Sequence, residues 1–161
     1  AIRDASALAG ACLIVMSLEP DVAHADSIRA TSDHTGVVID GDSIVEPLTK
    51  RPGRAGAGRK VFVDRETGHC LLCHAVASIN EPFQGNVGPD LSNGSSLSDG
   101  QLRLRLADSS RVNPQSVMPS YYRVAGLVQV AREYAGKPAL SAQQIEDLIA
   151  FLRSLQRSNN R

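Results

Sequence analysis

The run His69-Cys70-Leu71-Leu72-Cys73-His74 holds two cysteines separated by two residues, with a histidine directly after the second. C-x-x-C-H is the pattern of covalent haem attachment. Each thiol can add to one vinyl group of the porphyrin, and the imidazole next to the second thiol then lies under the iron as an axial ligand. The porphyrin brings the redox chemistry, while the chain contributes ligation, orientation and exclusion of solvent.

Rival readings of the same residues are weaker. A C-x-x-C pair also serves as a dithiol redox site, but that chemistry belongs to a βαβ pattern that is missing here. Structural zinc needs about four ligands in spaced pairs, and the spare candidates, His34 and His69, form no second pair. A purely structural disulfide suits an exported chain yet leaves His74 unexplained. The stretch therefore reads as the centre of a c-type cytochrome, a mostly α, class I cytochrome c-like helical domain around one covalent haem.

Composition agrees with that reading. A chain of 161 residues suggests one domain with a modest core, and three Phe, three Tyr and no Trp are a thin aromatic supply for it. A buried porphyrin would make up the missing apolar bulk. Net charge is zero, so nothing points to nucleic acid or an anionic membrane as partner.

Residues 1–25 look like most of a secretory signal peptide. Arg3 is a sparse basic flank, residues 5–18 are apolar, and Ala23-His24-Ala25 fits small-x-small cleavage. At about 14 residues the apolar run is short of the ~20 needed to span a bilayer. Cys12 does not make a lipoprotein signal, because Ala9 stands where leucine is usual and the apolar run continues past the cysteine. Cleavage after Ala25 implies a periplasmic protein and removes Cys12, Met16 and His24. It also removes Arg3 against Asp4, Glu19 and Asp21, which leaves a charge of about +2.

Residues 26–52 have no sustained period, so they are expected to form an N-terminal arm of loops and short strand-like pieces, with a turn at Asp40-Gly41-Asp42. The apolar Val37, Val38, Ile39, Ile44, Val45 and Leu48 need covering, either by the domain or by a partner. The haem domain is expected over residues 53–158. Its first helix is placed at residues 59–64, with Gly58 and Phe62 on one face at a spacing of four. Lys50, Arg51, Arg54, Arg59, Lys60 and Arg65 make this the most basic section, read as a solvated face.

After the motif, Gly88-Pro89-Asp90-Leu91 is a rigid turn. An axial imidazole normally donates its distal N–H to a carbonyl or carboxylate, and the Pro89 carbonyl is the candidate. Ser98 with Gln101 forms a capping box for a helix reaching about Asp108, with Leu102 and Leu106 on one side and Arg103 and Arg105 on the surface. Ser141 with Gln144 repeats the device for a helix to about Gln156. Ile145, Leu148, Ile149, Leu152 and Leu155 form its apolar stripe, Arg153 and Arg157 complement its C-terminal dipole, and it is expected to cross the first helix.

Met118 would be the only methionine of the cleaved chain. A lone methionine is usually core filler. A haem with one ligand in hand needs a second to be a fast electron carrier, however, and Pro119 stiffens the loop, so axial ligation by Met118 is the better reading. Tyr121, Tyr122 and Arg123 could hydrogen-bond a propionate, or the tyrosines could be core residues.

Beyond these readings, five pieces of the chain resemble the SoxX family, the small monohaem subunit of the sulfur-oxidising SoxAX cytochrome. They are GDSIVEPLTKRPG, GHCLLCHAV, QGNVGPDLS, QLRLRLADSSRVNPQSVMPSYYRV and AQQIEDLIAFLRSL. The resemblance implies a periplasmic heterodimer with a SoxA subunit, acting as an L-cysteine S-thiosulfotransferase that conjugates thiosulfate to a cysteine of the SoxYZ carrier. It implies that the SoxA haem binds substrate, while the SoxX haem passes electrons to a small soluble cytochrome c. By position, Cys70 and Cys73 would attach the haem, and His74 and Met118 would be its axial ligands. A free periplasmic electron shuttle is the alternative, and it predicts that deleting residues 26–49 changes little.

Overall fold

The computed structural model describes residues 30–31 and 37–159, so the expected signal peptide, Cys12 and His34 lie outside the described residues. Three helices carry the fold: α1 (Ala55–Val63), α2 (Asp99–Asp108) and α3 (Ala142–Asn159). Two very short antiparallel strands, β1 (Ala30–Thr31) and β2 (Val38–Ile39), pair Ala30 with Ile39 and Thr31 with Val38. The mostly helical class expected from sequence is the one observed.

α1 starts earlier than the spacing of apolar residues predicts, running through the glycine-rich segment. The reason lies on α3. Arg54 donates its backbone N–H to Asp147 Oδ1 at 2.7 Å, which caps a helix that has no local N-cap side chain. Glycine then lets the two backbones touch: a Cβ on Gly58 would lie 1.9 Å from the Asp147 carbonyl oxygen, and one on Gly53 would lie 2.0 Å from that of Glu146. Phe62, one turn beyond Gly58, meets Phe151 with ring centroids 5.3 Å apart and planes tilted by 57°, an arrangement worth about 0.5–1.5 kcal/mol beyond area burial. The crossing of the first and last helices is thus a glycine contact followed by an aromatic one. Gly58→Ala is expected to cost about 1–3 kcal/mol through forced separation of the helices. Gly56→Ala, with open space at its Cβ, should instead gain about 0.5–1 kcal/mol of helix propensity. Guanidinium unfolding midpoints of the two variants check the contrast.

Both capping boxes form. Gln101 donates its N–H to Ser98 Oγ at 3.2 Å and Ser98 donates back to Gln101 Oε1 at 2.9 Å, while Ser141 and Gln144 repeat the exchange at 2.8 and 3.3 Å. α2 buries two faces rather than one. Leu102 and Leu106 join the main core with Phe62, Val76, Ile145 and Leu148, while Leu104 and Ala107 face Ile39 and Ile44 of the arm.

The arm is therefore docked on the domain. Ile44 donates its N–H to the Gly100 carbonyl at 3.0 Å, and Gln101 Nε2 donates to Asp42 Oδ2 at 2.7 Å. The turn closes with Asp40 and Ser43 exchanging backbone hydrogen bonds at 2.8 and 3.0 Å, with Gly41 at φ +57°. Val38 and Val45 stay exposed.

Two arginines depart from the roles expected for them, Arg103 from the surface and Arg153 from its helix dipole. Arg103 is 4% exposed. Its guanidinium forks onto Glu146 of α3, Nε to Oε1 at 2.7 Å and Nη2 to Oε2 at 3.1 Å, and Nη1 donates to the carbonyls of Ile44 at 2.6 Å and Val45 at 3.2 Å. The arm covers this face of α2, so the charge was not left to solvent. Arg153 leaves the dipole of its own helix and reaches α2, pairing with Asp99 at 2.7 Å and donating to the Ser95 carbonyl at 2.9 Å and to that of Leu97.

Candidate functional site

His69 enters the motif in the left-handed region at φ +56° and starts a single 3-10 turn, Cys70–Leu72. Cys73 and His74 both donate backbone N–H groups to the Cys70 carbonyl, at 3.1 and 2.9 Å. The tight turn presents the two thiols, both free, with Cys70 buried and Cys73 half-buried. Burial pushes the Cys70 thiol up to about 12, so it stays protonated as it stands.

The following loop wraps beneath the motif. Gly85 donates to the Leu71 carbonyl, Gly88 to that of Cys73 and Leu91 to that of Ala75, each at 2.8 Å. Gln84 pins the intervening turn from inside, accepting from Val76 N–H at 2.6 Å and donating to the Ile79 carbonyl at 2.8 Å. Nothing in the local sequence marked Gln84 for this, since an amide can serve any nearby backbone group.

His74 Nδ1 lies 2.8 Å from the Pro89 carbonyl oxygen. A carbonyl only accepts, so Nδ1 carries the proton and Nε2 keeps its lone pair for a ligand. Gly88 lies against the imidazole so closely that a Cβ there would come 2.3 Å from Cε1. The Ser92 hydroxyl and backbone N–H steady Asp90 and hold its carboxyl below its usual range. The ring is thereby oriented by backbone on one edge and left available on the other.

Met118 is half-buried and packs on the core cluster that contains Cys70, Leu71 and Tyr121. Tyr121 joins the two halves of the site: its hydroxyl donates to the Gly68 carbonyl at 2.6 Å, just before the motif. Burial raises this phenol above its ordinary range. The Tyr121 hydroxyl thus points inward, onto the backbone that leads into the motif. Tyr122 packs between the two core clusters. Arg123 Nη1 pairs with Asp108 at 3.3 Å, while its Nε is buried without a partner.

The donor set fits a covalently held haem. Two free thiols flank a turn, one imidazole nitrogen is open, a thioether packs on the same cluster, and a guanidinium N–H lacks an acceptor. Among the described residues no group of three or more His, Cys, Asp or Glu gathers to hold a metal ion by itself.

The cytochrome c family pattern matches residues 55–156, well over half the chain. The chain belongs to the cytochrome c family. Membership implies a covalently bound haem c and an electron-transfer domain. This cytochrome is also similar to a chain in the crystal structure of SoxXA from P. pantotrophus, with 29% identity and a TM-score of 0.70, covering 79% of this chain and 99% of that one. That match supports the SoxX-type resemblance read from the sequence. No curated protein matches the cytochrome. No helix of the described residues is long and apolar enough to cross a membrane.

Proposed function

We propose that this cytochrome is the electron-transfer subunit of a periplasmic, thiosulfate-oxidising SoxAX-type complex, exported by a leader spanning residues 1–25. Cys70 and Cys73 hold a single haem, with His74 and Met118 as its axial ligands. Haem bound there supplies a one-electron carrier. The observation that carries this reading is the His74 imidazole, its Nδ1 engaged by Pro89 and its Nε2 free, beside two free thiols.

Each residue has a definite task. The Pro89 carbonyl raises the basicity of His74 and fixes its ring. A thioether from Met118 favours the reduced state relative to a second imidazole, which suits an electron acceptor. Once Cys70 and Cys73 are consumed, Cys12 of the leader is the remaining cysteine. Sulfur transfer requires a thiolate nucleophile, so the thiosulfate chemistry falls to a SoxA-type partner and a SoxYZ-type carrier. Electrons leave to a small cytochrome c. Likeness to the SoxXA chain supports the SoxA-type heterodimer.

Co-expression with a SoxA-type subunit under cytochrome c maturation is expected to give a stable heterodimer with a c-type α band. Its haem should be reduced by thiosulfate only when the carrier is present. A coloured chain that elutes alone beside the SoxA-type subunit contradicts the complex, and a colourless one contradicts haem attachment.

A further inference from the structure

The segment that carries Met118 has little packing of its own. Val117 is 80% exposed and Pro119 is exposed, so between residues 117 and 119 only the methionine side chain rests on the core. What holds the segment is the end of α2. The helix stops at Asp108, whose backbone turns to φ −154°, and Ser109 opens a 3-10 turn. Both side chains are buried and point at the methionine loop.

Ser109 Oγ donates to the Met118 carbonyl at 2.5 Å, and Ser120 Oγ donates to Asp108 Oδ1 at 2.7 Å. The loop is thus gripped at the methionine itself and two residues later. Asp108 is held in turn by Ser110 Oγ at 2.5 Å and Arg123 Nη1 at 3.3 Å, with Arg111 Nε at 3.7 Å. From there the chain runs on along α2, with Tyr121 N–H on the Leu106 carbonyl and Tyr122 N–H on that of Ala107, both at 3.1 Å.

We propose that Asp108 and Ser109 are positioning residues that latch the Met118 loop shut and so set how easily the thioether leaves the iron. The inference rests on the proposed ligand role of Met118. A buried hydrogen bond contributes roughly 1 kcal/mol net, so loss of either grip shifts loop opening about fivefold. An added ligand reaches the iron only while the methionine is away, which makes its binding rate a direct readout of the latch.

The test follows cyanide binding to the matured ferric cytochrome by stopped flow. Ser109→Ala and Ser120→Ala should each bind about fivefold faster than the native protein, and Met118→Ala faster than either. Arg153→Gln serves as the control for general loosening, since it breaks the link to Asp99 far from the loop and should bind at the native rate. If both serine variants bind at the native rate while Met118→Ala binds fast, the latch is refuted and the ligand stands. If Met118→Ala itself binds at the native rate, the ligand reading fails and the latch with it.

Discussion

A Cys70→Ala/Cys73→Ala double variant is expected to run colourless on a haem-stained denaturing gel and to lose most of its folded stability, on the order of 5 kcal/mol or more against the 5–15 typical of a domain. The motif is anchored in the core through Cys70 and Leu71, which are buried among residues from all three helices. Two of the three helices, α1 and α2, are short, and six aromatic rings serve the whole chain. Leu72, Val87 and Val117 meanwhile leave large apolar surface exposed, of the kind a porphyrin covers. Loss of that much apolar contact exceeds any single-residue cavity. Free haem added to the variant should restore some colour through His74, but that colour should vanish in detergent. Colour that survives denaturation would refute attachment through these thiols.

Glu146→Ala should be the second most damaging change, at about 3–5 kcal/mol, because it strands a buried guanidinium. Glu146 is 7% exposed and receives three donors: Arg103 Nε, Arg103 Nη2 and the backbone N–H of Leu48, the last at 2.9 Å. Without it Arg103 keeps only the carbonyls of Ile44 and Val45. The expected signature is a lowered unfolding midpoint together with fast amide exchange at Leu48, whose acceptor is gone. Replacement of both partners by apolar residues of similar volume should recover much of the loss, since the pair's desolvation cost disappears with it. An unchanged midpoint for Glu146→Ala would mean that water reaches Arg103.

The same network changes the meaning of the arm. Deletion of residues 26–49 would remove both carbonyls from Arg103 and the Leu48 donor from Glu146, besides uncovering Leu104 and Ala107. Such a deletion measures stability before it measures partner binding. Exposed Val38 and Val45 are the better positions for asking whether the arm touches another subunit, because the domain leaves them uncovered.

Much of the candidate site was legible along the chain because its residues are neighbours there. Cys70, Cys73 and His74 fall within one turn, the Pro89 carbonyl lies on a stiff loop soon after, and both capping boxes sit at fixed spacing. The two corrected arginines show where that legibility ends. Arg103 looked solvated because a charge on an amphipathic helix usually is, and only the docking of a distant arm made its face an interior. The early start of α1 likewise needed a side-chain carboxylate on α3, Asp147, to accept from the Arg54 N–H, far along the chain.

Local chemistry, then, was enough to specify a haem-binding helical domain, its capped helices and its set of potential ligands, since covalent spacing and hydrogen-bond periodicity act over a few residues. Tertiary structure alone decided which charges are buried, how Gly58 lets two helices touch, and which hydroxyls grip the methionine loop. Those outcomes depend on which surfaces meet, and burial is a property of the meeting rather than of either segment.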